Sequence, residues 1–357
     1  MPTASSSGLQ TARPTLIVAG KEQPTLTGGL LSLMIVEQTA GLYRCEARFG
    51  NWGPVDNSLQ FLYFDRRLLD FGKEFRVALG ENAIFHGKIT GLEASFPEGS
   101  PPEITVLAED SFQDLRMSRR TRTFVDVSDA DVCAQIANEH GLSPRIDVTG
   151  PTYKALAQVN QSDLAFLRER ARTIGAELWM DGRTLCMATR TARRGQAVQM
   201  KHGKELRAFT VCADVAMQRT SVTASGWDIA GKAALHYEAT ESTVSNELNG
   251  DTSGASILTT ALGQRKESLA HTVPLNSQEA QAVAEAYFRM MARRFVVGRG
   301  VAEPDARLRV GATVDLQGLG PLFSGKYYLS EVTHLFDGVK GFRTEFCAER
   351  PGLGSAQ

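Results

Sequence analysis

The chain is predicted to be mainly β with an α+β insertion, two similar β-barrel domains flanking a small α/β module. A two-part phrase that occurs near both ends predicts the pair of barrels. Period-two alternation of apolar residues predicts strands around both copies, and helix caps with helical apolar spacing predict the module between them. The first copy of the phrase reads Gly72-Lys-Glu-Phe75-Arg-Val77, then Ile84-Phe85-His86-Gly87-Lys88-Ile89-Thr90. The second reads Gly311-Ala-Thr-Val314-Asp-Leu316, then Leu322-Phe323-Ser324-Gly325-Lys326-Tyr327-Tyr328. Each reads as an alternating strand, a turn, a Phe-x-Gly-Lys entry and a second strand. Two copies predict one barrel-like unit used twice, and a ring of three such chains presents six similar units.

Taken in order, residues 1–14 are Ser/Thr/Ala-rich without an apolar core, which predicts a flexible arm and not a signal peptide. Residues 15–116 form the first predicted barrel. Leu31-Ser-Leu33-Met-Ile35-Val36, Tyr43-Arg-Cys45-Glu-Ala47-Arg-Phe49 and Phe75-Arg-Val77-Ala-Leu79 alternate, so their apolar side chains share one sheet face. Gly80-Glu81-Asn82 reads as a hairpin turn. Residues 117–200 form the α/β module. Ser128 caps an acidic first turn and a stripe through Val132 and Ile136 that stops at His140-Gly141. Ser162 caps a second helix on Leu164, Leu167, Ala171 and Ile174, and Asp181-Gly182 marks a hairpin.

Residues 201–350 form the second predicted barrel. Within it, 239–275 is Ser/Thr/Asn/Gly-rich and weakly patterned, which reads as a loop excursion. Asn276 and Glu279 open a helix near 277–294. Residues 351–357 read as a C-terminal tail.

The 357-residue length exceeds one ordinary core. A formal net charge of −1 gives no electrostatic case for nucleic acid or an acidic membrane, and no run approaches a transmembrane helix. Five scattered cysteines, Cys45, Cys133, Cys186, Cys212 and Cys347, predict reduced, mostly buried thiols in a protein made in the cytosol.

Chemistry signals are weak. Gly320 to Lys326 fits a phosphate loop except that Tyr327 replaces the hydroxyl residue, and a strand follows where a helix is required. The Gly-Lys of both copies reads instead as a structural turn. Asp251-Thr-Ser-Gly254 lies in a polar stretch and reads as a solvated loop. The six histidines, His86, His140, His202, His236, His271 and His334, lack metal-ligand spacing. Arg116, Arg119, Arg120 and Arg122, and Arg190, Arg193 and Arg194, read as solvated or interfacial faces without the aromatic interleaving of a single-strand binder. Arg289, Arg293 and Arg294 mix with Tyr287, Met290 and Met291 on a helix suited to packing on a barrel or a neighbouring subunit. No catalytic, cofactor-binding or metal residue is nominated.

Several segments together resemble the phage late control protein D family, the baseplate hub of contractile tails, and are similar to the N-terminal part of the type VI secretion spike protein VgrG. They are Phe85 to Thr90, Glu109 to Leu115, Ser128 to Gly141, Val159 to Arg168, Val222 to Asp228, and Ser324 to His334 with Phe342-Arg343-Thr344. The resemblance covers about residues 15–350. It implies a homotrimeric ring whose two barrels per subunit give a pseudo-sixfold collar, a symmetry adaptor between a sixfold tail tube and a threefold spike. It further implies a protein made in the bacterial cytoplasm and incorporated into a tail baseplate. Expected partners are a separate spike protein, the first tail-tube ring and other baseplate proteins, with no cofactor, nucleic acid or membrane insertion. The rival expectation is a tail-tip-associated cell-wall hydrolase, and a third is a nucleic-acid regulator.

Overall fold

The computed structural model describes residues 13–193, 195–229 and 231–354. The expected arm at 1–14 therefore lies almost wholly outside the described residues.

The first β unit opens with β1 (Thr15–Val18), β2 (Lys21–Glu22), the short helix α1 (Pro24–Gly28), β3 (Leu30–Gln38) and β4 (Arg44–Gly50). A small hairpin of β5 (Trp52–Val55) and β6 (Ser58–Phe61) precedes β7 (Glu74–Leu79), β8 (Asn82–Ser95) and β9 (Glu103–Glu109). The alternation read in the sequence is the alternation of burial: Leu33 and Ile35 of β3, Cys45, Ala47 and Phe49 of β4, and Phe75 and Val77 of β7 all enter one apolar core.

The α/β module contains α2 (Phe112–Arg116), β10 (Arg119–Ser128), α3 (Asp129–Glu139), β11 (Ser143–Asp147), β12 (Thr152–Ser162), α4 (Asp163–Thr173), β13 (Ala176–Asp181) and β14 (Thr184–Thr189). Its helices start where their caps predict. The Ser128 hydroxyl accepts from the Asp131 N–H at 3.2 Å, the Asp131 carboxylate returns the bond to the Ser128 N–H at 2.9 Å, and the Ser162 hydroxyl accepts from Ala165 at 3.2 Å. Val132, Ile136, Leu164, Leu167 and Leu185 meet in a second core.

The second β unit begins with β15 (Ala197–Lys201) and β16 (Leu206–Ala213). An inserted layer follows: β17 (Ser221–Asp228), β18 (Ala233–Thr240), a 3-10 helix (Glu241–Glu247), β19 (Thr252–Ser253), α5 (Gly254–Leu262), β20 (Lys266–Leu269) and α6 (Ser277–Ala292). The unit then resumes with β21 (Val296–Ala302), β22 (Thr313–Gln317), α7 (Gly320–Phe323), β23 (Gly325–Asp337), β24 (Gly341–Arg350) and β25 (Gly352–Leu353).

Two expectations are corrected here. The stretch 239–275 is structured and not a loop excursion: Ser253 caps α5 by accepting from the Ser256 N–H at 3.0 Å, and β20 adds to β17 in parallel. Ala255 and Leu258 of α5 are buried, and Leu269 of β20 joins the core under α6. The chain from 351 is not all tail, because β25 pairs with β19.

The two β units are copies of one fold. Ladder order is β7-β8-β9-β4-β3 in the first and β22-β23-β24-β21-β16 in the second. Gly72 and Gly311, both at positive φ (77° and 95°), open equivalent hairpins by donating to Ile89 and Leu329. Two irregularities also coincide, although the break in β7–β8 between Val77 and Ala78 has no counterpart in β22–β23. A bulge interrupts the β8–β9 ladder between Ile89 and Gly91, and another interrupts β23–β24 between Leu329 and Glu331. The β3–β4 ladder breaks between Leu30 and Ser32, as β16–β21 does between Leu206 and Ala208.

The structure also revises how the repeated phrase aligns. Gly87 pairs with Phe75, three residues after Gly72, whereas Gly325 pairs with Leu316, five residues after Gly311. The two Gly-Lys pairs are therefore out of step by two residues, and the structural counterpart of Lys88 is Tyr328. Nor is Gly87-Lys88 a turn. It lies within β8, where a Cβ on Gly87 would stand 2.2 Å from the Glu109 carbonyl oxygen.

The two copies are fused. β3 pairs antiparallel with β23, so that among the described residues thirteen strands join one sheet. Phe336 and Phe342 of the second unit reach into the core of the first.

Candidate assembly interface

The internal joint between the copies is the best-defined interface in the chain. β23 uses its first residues to pair β22 and its second half, Glu331 to Asp337, to pair Gln38 to Ser32 of β3. Val332, His334 and Phe336 alternate inward on one strand and Leu33, Ile35 and Glu37 on the other, all buried. The register follows from that alternation, because a slip of one residue would turn each apolar set to the opposite face.

Polar groups sealed in the joint are placed with care. Burial pushes the Glu37 carboxyl up against the opposing pull of Arg309, with which it is paired, and its second oxygen accepts from the Val310 N–H at 3.1 Å. His334 Nδ1 lies 3.0 Å from the Thr344 hydroxyl while Nε2 has no hydrogen-bond partner. Burial, then the nearby Arg309 charge, lowers the His334 pKa to about 3.

A second network fastens the α/β module to both copies. Glu177 of β13 binds Arg193 Nη1 at 3.0 Å and Arg190 Nε at 3.3 Å, and accepts from the Tyr328 hydroxyl. Arg190 continues to Glu349 of β24 at 3.0 Å, and Arg193 to the Tyr43 hydroxyl at 3.1 Å and the Val310 carbonyl at 2.7 Å. Their guanidinium groups stack 4.1 Å from the rings of Tyr328 and Trp179. Nearby, Asp110 accepts from the N–H groups of Tyr43 (2.8 Å) and Phe112 (2.9 Å); burial nevertheless raises its pKa to about 7.

These contacts decide between the two expectations for the second arginine cluster, a solvated or an interfacial face. Arg190 and Arg193 form no solvated face: both are largely buried at the junction of the three parts, and Arg194 lies outside the described residues. A cluster of arginines reads the same in sequence whether its carboxylates are local or 150 residues away. Arg116 pairs with Glu109 at 2.6 Å, Arg120 and Arg122 with Glu139 and Asp163, and Arg119 donates to the Asn160 carbonyl. Arg289 pairs with Glu285, and Arg293 binds Glu247 through two nitrogens. A cleft of about 600 Å³ over the junction is lined by Arg145, Arg193, Arg307 and Arg309, each already paired with a carboxylate.

The remaining motifs are structural in placement. Lys326 lies in β23 after the four-residue α7. Asp251 pairs with Arg350 at 3.3 Å and Ser253 is a buried cap, so Asp251 to Gly254 is not a solvated loop. His86 contacts Glu74 and His140 contacts Asp163, each at 2.9 Å, whereas His202 joins a bridge to Leu206, His236 lies on β18 and His271 packs beside Tyr287. Among the described residues no group of three His, Cys, Asp or Glu side chains is arranged to hold a metal. Cys45, Cys133 and Cys186 are buried free thiols, Cys347 is intermediate and Cys212 is exposed. Among the described residues no helix is long and apolar enough to cross a membrane.

Two sheet edges are left open. β16 pairs with β21 on one side and has no strand on the other among the described residues. β8 pairs with β7 only through Asn82 to Lys88, so the outer edge of Gly91 to Ser95 is bare among the described residues. Beside that bare edge stands an exposed aromatic group in which Phe61 packs against Trp52, Phe64 and Phe96. Sequence reasoning did not find these edges, because which strand lacks a neighbour is decided by pairing across the whole chain.

Solved structures share this fold. The 43 kDa tail protein of prophage MuSo2 from Shewanella oneidensis superposes with a TM-score of 0.69 at 12% identity, over 95% of this chain and 98% of that one. The tail protein from Neisseria meningitidis MC58 gives 0.66 at 12% identity, over 96% and 97%. A component of the type VI secretion system of E. coli, described as structurally similar to the T4 bacteriophage tail proteins gp27 and gp5, gives 0.55 at 13% identity, over 92% and 76%. No curated protein matches the sequence. The family model that matches is not a late control protein D model. It is the Alg8 N-terminal domain, matched over residues 57–337, more than half of the chain, and the chain belongs to that family.

Proposed function

We propose that this protein is a structural hub of a contractile injection apparatus, akin to late control protein D. Three copies form a ring that joins a sixfold tail tube to a threefold spike. The observation that carries this reading is the duplicated unit: two copies of one β fold, with the same ladder order and two coincident bulges, lie in one polypeptide. Three chains then supply six near-equivalent β units to one partner and three of everything else to another. The module, the inserted layer and the β5–β6 hairpin occur once per chain, so they supply the threefold features. Proteins of this fold described as tail proteins and as a type VI secretion component support the same reading. Arg116, Arg120, Arg122, Arg190 and Arg193 are paired with internal carboxylates, which supports surface complementarity as the mechanism.

The partners are a spike protein, the first tube ring and other baseplate proteins, and the destination is the baseplate of the particle. Mixing the purified protein with the product of the neighbouring spike gene tests the reading. A complex with three copies of each supports it. A protein that ignores the spike and clears peptidoglycan in a zymogram overturns it in favour of a hydrolase.

A further inference from the structure

The internal joint and the open edges are related by the duplication. β23 corresponds to β8 and β3 corresponds to β16, as the coincident bulges fix. Inside the chain, the half of β23 beyond its bulge pairs with β3. Among the described residues the corresponding half of β8, beyond its own bulge, is bare, and so is the outer edge of β16. One chain thus carries one made joint and the two unmatched halves of a second.

We propose that the bare end of β8 pairs antiparallel with β16 of a second copy of this chain, in the register of the internal joint. Transferring that register places Leu92 opposite Ala213, Glu93 opposite Cys212, Ala94 opposite Val211 and Phe96 opposite Phe209. In the internal joint these places are held by Val332 and Glu37, Thr333 and Val36, His334 and Ile35, and Phe336 and Leu33.

The side chains agree with the transfer. Leu92, Ala94 and Phe96 fall in the phase of the buried Val332, His334 and Phe336, and Phe209, Val211 and Ala213 in the phase of Leu33, Ile35 and Glu37. Phe336 is 3% exposed, but Phe96, its counterpart, is 64% exposed in the single chain. A second copy would cover it. Exposed strand edges are ordinarily blunted by charge or proline. Between Ala208 and Ala213, β16 carries neither.

The contact is heterologous: one edge of each chain meets the other edge of the next, so it propagates until a ring closes. That three chains close it rests on the function proposed above; the ladder and its register do not.

A single substitution tests the register, because one partner is already a cysteine. Directly opposed residues in an antiparallel ladder have Cα atoms about 4.5–5.5 Å apart, within disulfide reach. Glu93→Cys, at an exposed position, is expected to cross-link to the native Cys212 of the next chain under mild oxidation. The product expected on a non-reducing gel is a ladder that stops at three chains, absent when Cys212→Ser is added. Ala94→Cys points to the opposite face and is expected not to cross-link. Equal cross-linking of Ala94→Cys, or products that survive Cys212→Ser, would overturn the proposed ladder; Cys212-dependent products that stop at two chains would overturn the ring of three. If light scattering finds three-chain particles and Glu93→Cys still fails to cross-link, the ladder is wrong and the ring stands. If the protein is monomeric and does not cross-link, both fail.

Discussion

His334 makes the joint between the two β units acid-labile, and the size of the effect follows from its surroundings. The ring is fully buried on β23, opposite Ile35 of β3, and one ring nitrogen has no partner. Arg309 disfavours a positive charge there, and the more weakly felt Asp305 favours it. The folded-state pKa is about 3 against an ordinary 6.5, so below pH 6.5 the unfolded chain binds a proton that the folded chain refuses. Stability from this site is therefore complete above pH 6.5 and is lost progressively as pH falls toward 3. Between pH 7 and pH 5 the loss amounts to about 2 kcal/mol, at about 1.4 kcal/mol per pH unit below the ordinary value.

Urea unfolding of the wild type and of His334→Leu at the two pH values isolates the site. The variant removes the titrating ring and leaves the Thr344 hydroxyl without its partner, which costs about 1 kcal/mol at either pH. The wild type is expected to lose about 2 kcal/mol more than the variant on going from pH 7 to pH 5. Equal losses in the two proteins would refute the reasoning, because they would show that His334 takes up no proton on unfolding.

Other perturbations have expected outcomes of their own. Glu177→Ala strands Arg193 and weakens Arg190 at the three-way junction, and is expected to cost about 3–5 kcal/mol in the same unfolding assay. Gly87→Ala forces a Cβ against the Glu109 carbonyl and is expected to cost about 1–3 kcal/mol. Gly28→Ala, with nothing within 4 Å of the new carbon, should by contrast leave the melting temperature nearly unchanged. Ser128→Ala removes one half of the capping box of α3, and a loss of about 1 kcal/mol is expected; a neutral result would mean that Asp131 alone holds the helix start.

The parts of the fold legible in the sequence were those encoded locally. Ser128, Ser162 and Asn276 each accept a backbone N–H at a helix start, and the strands of both β units alternate as they are buried. α5 escaped notice because its cap, Ser253, sits in a polar run and the helix buries only a narrow face. β10 and β12 escaped because their buried face mixes the apolar Phe124, Tyr153 and Leu156 with polar groups, where Arg122 reaches Gln158 and Asp163, so no clean alternation shows.

The repeated phrase was a sound sign of duplication but a poor guide to alignment. Gly87 and Gly325 match as letters, whereas the ladders are set by Gly72, Gly311 and the bulges. The candidate interface was the least legible. Glu177 finds Tyr328 on β23, Arg190 finds Glu349 on β24, and β3 meets a strand some 300 residues away, so no local pattern marks these contacts.

The central claim is that the duplicated unit serves to build a closed ring of three chains. Light scattering of the purified protein measures this directly. The account predicts a particle with the mass of three chains that persists on dilution. A stable single chain, at concentrations where its spike partner is also a trimer, would contradict it.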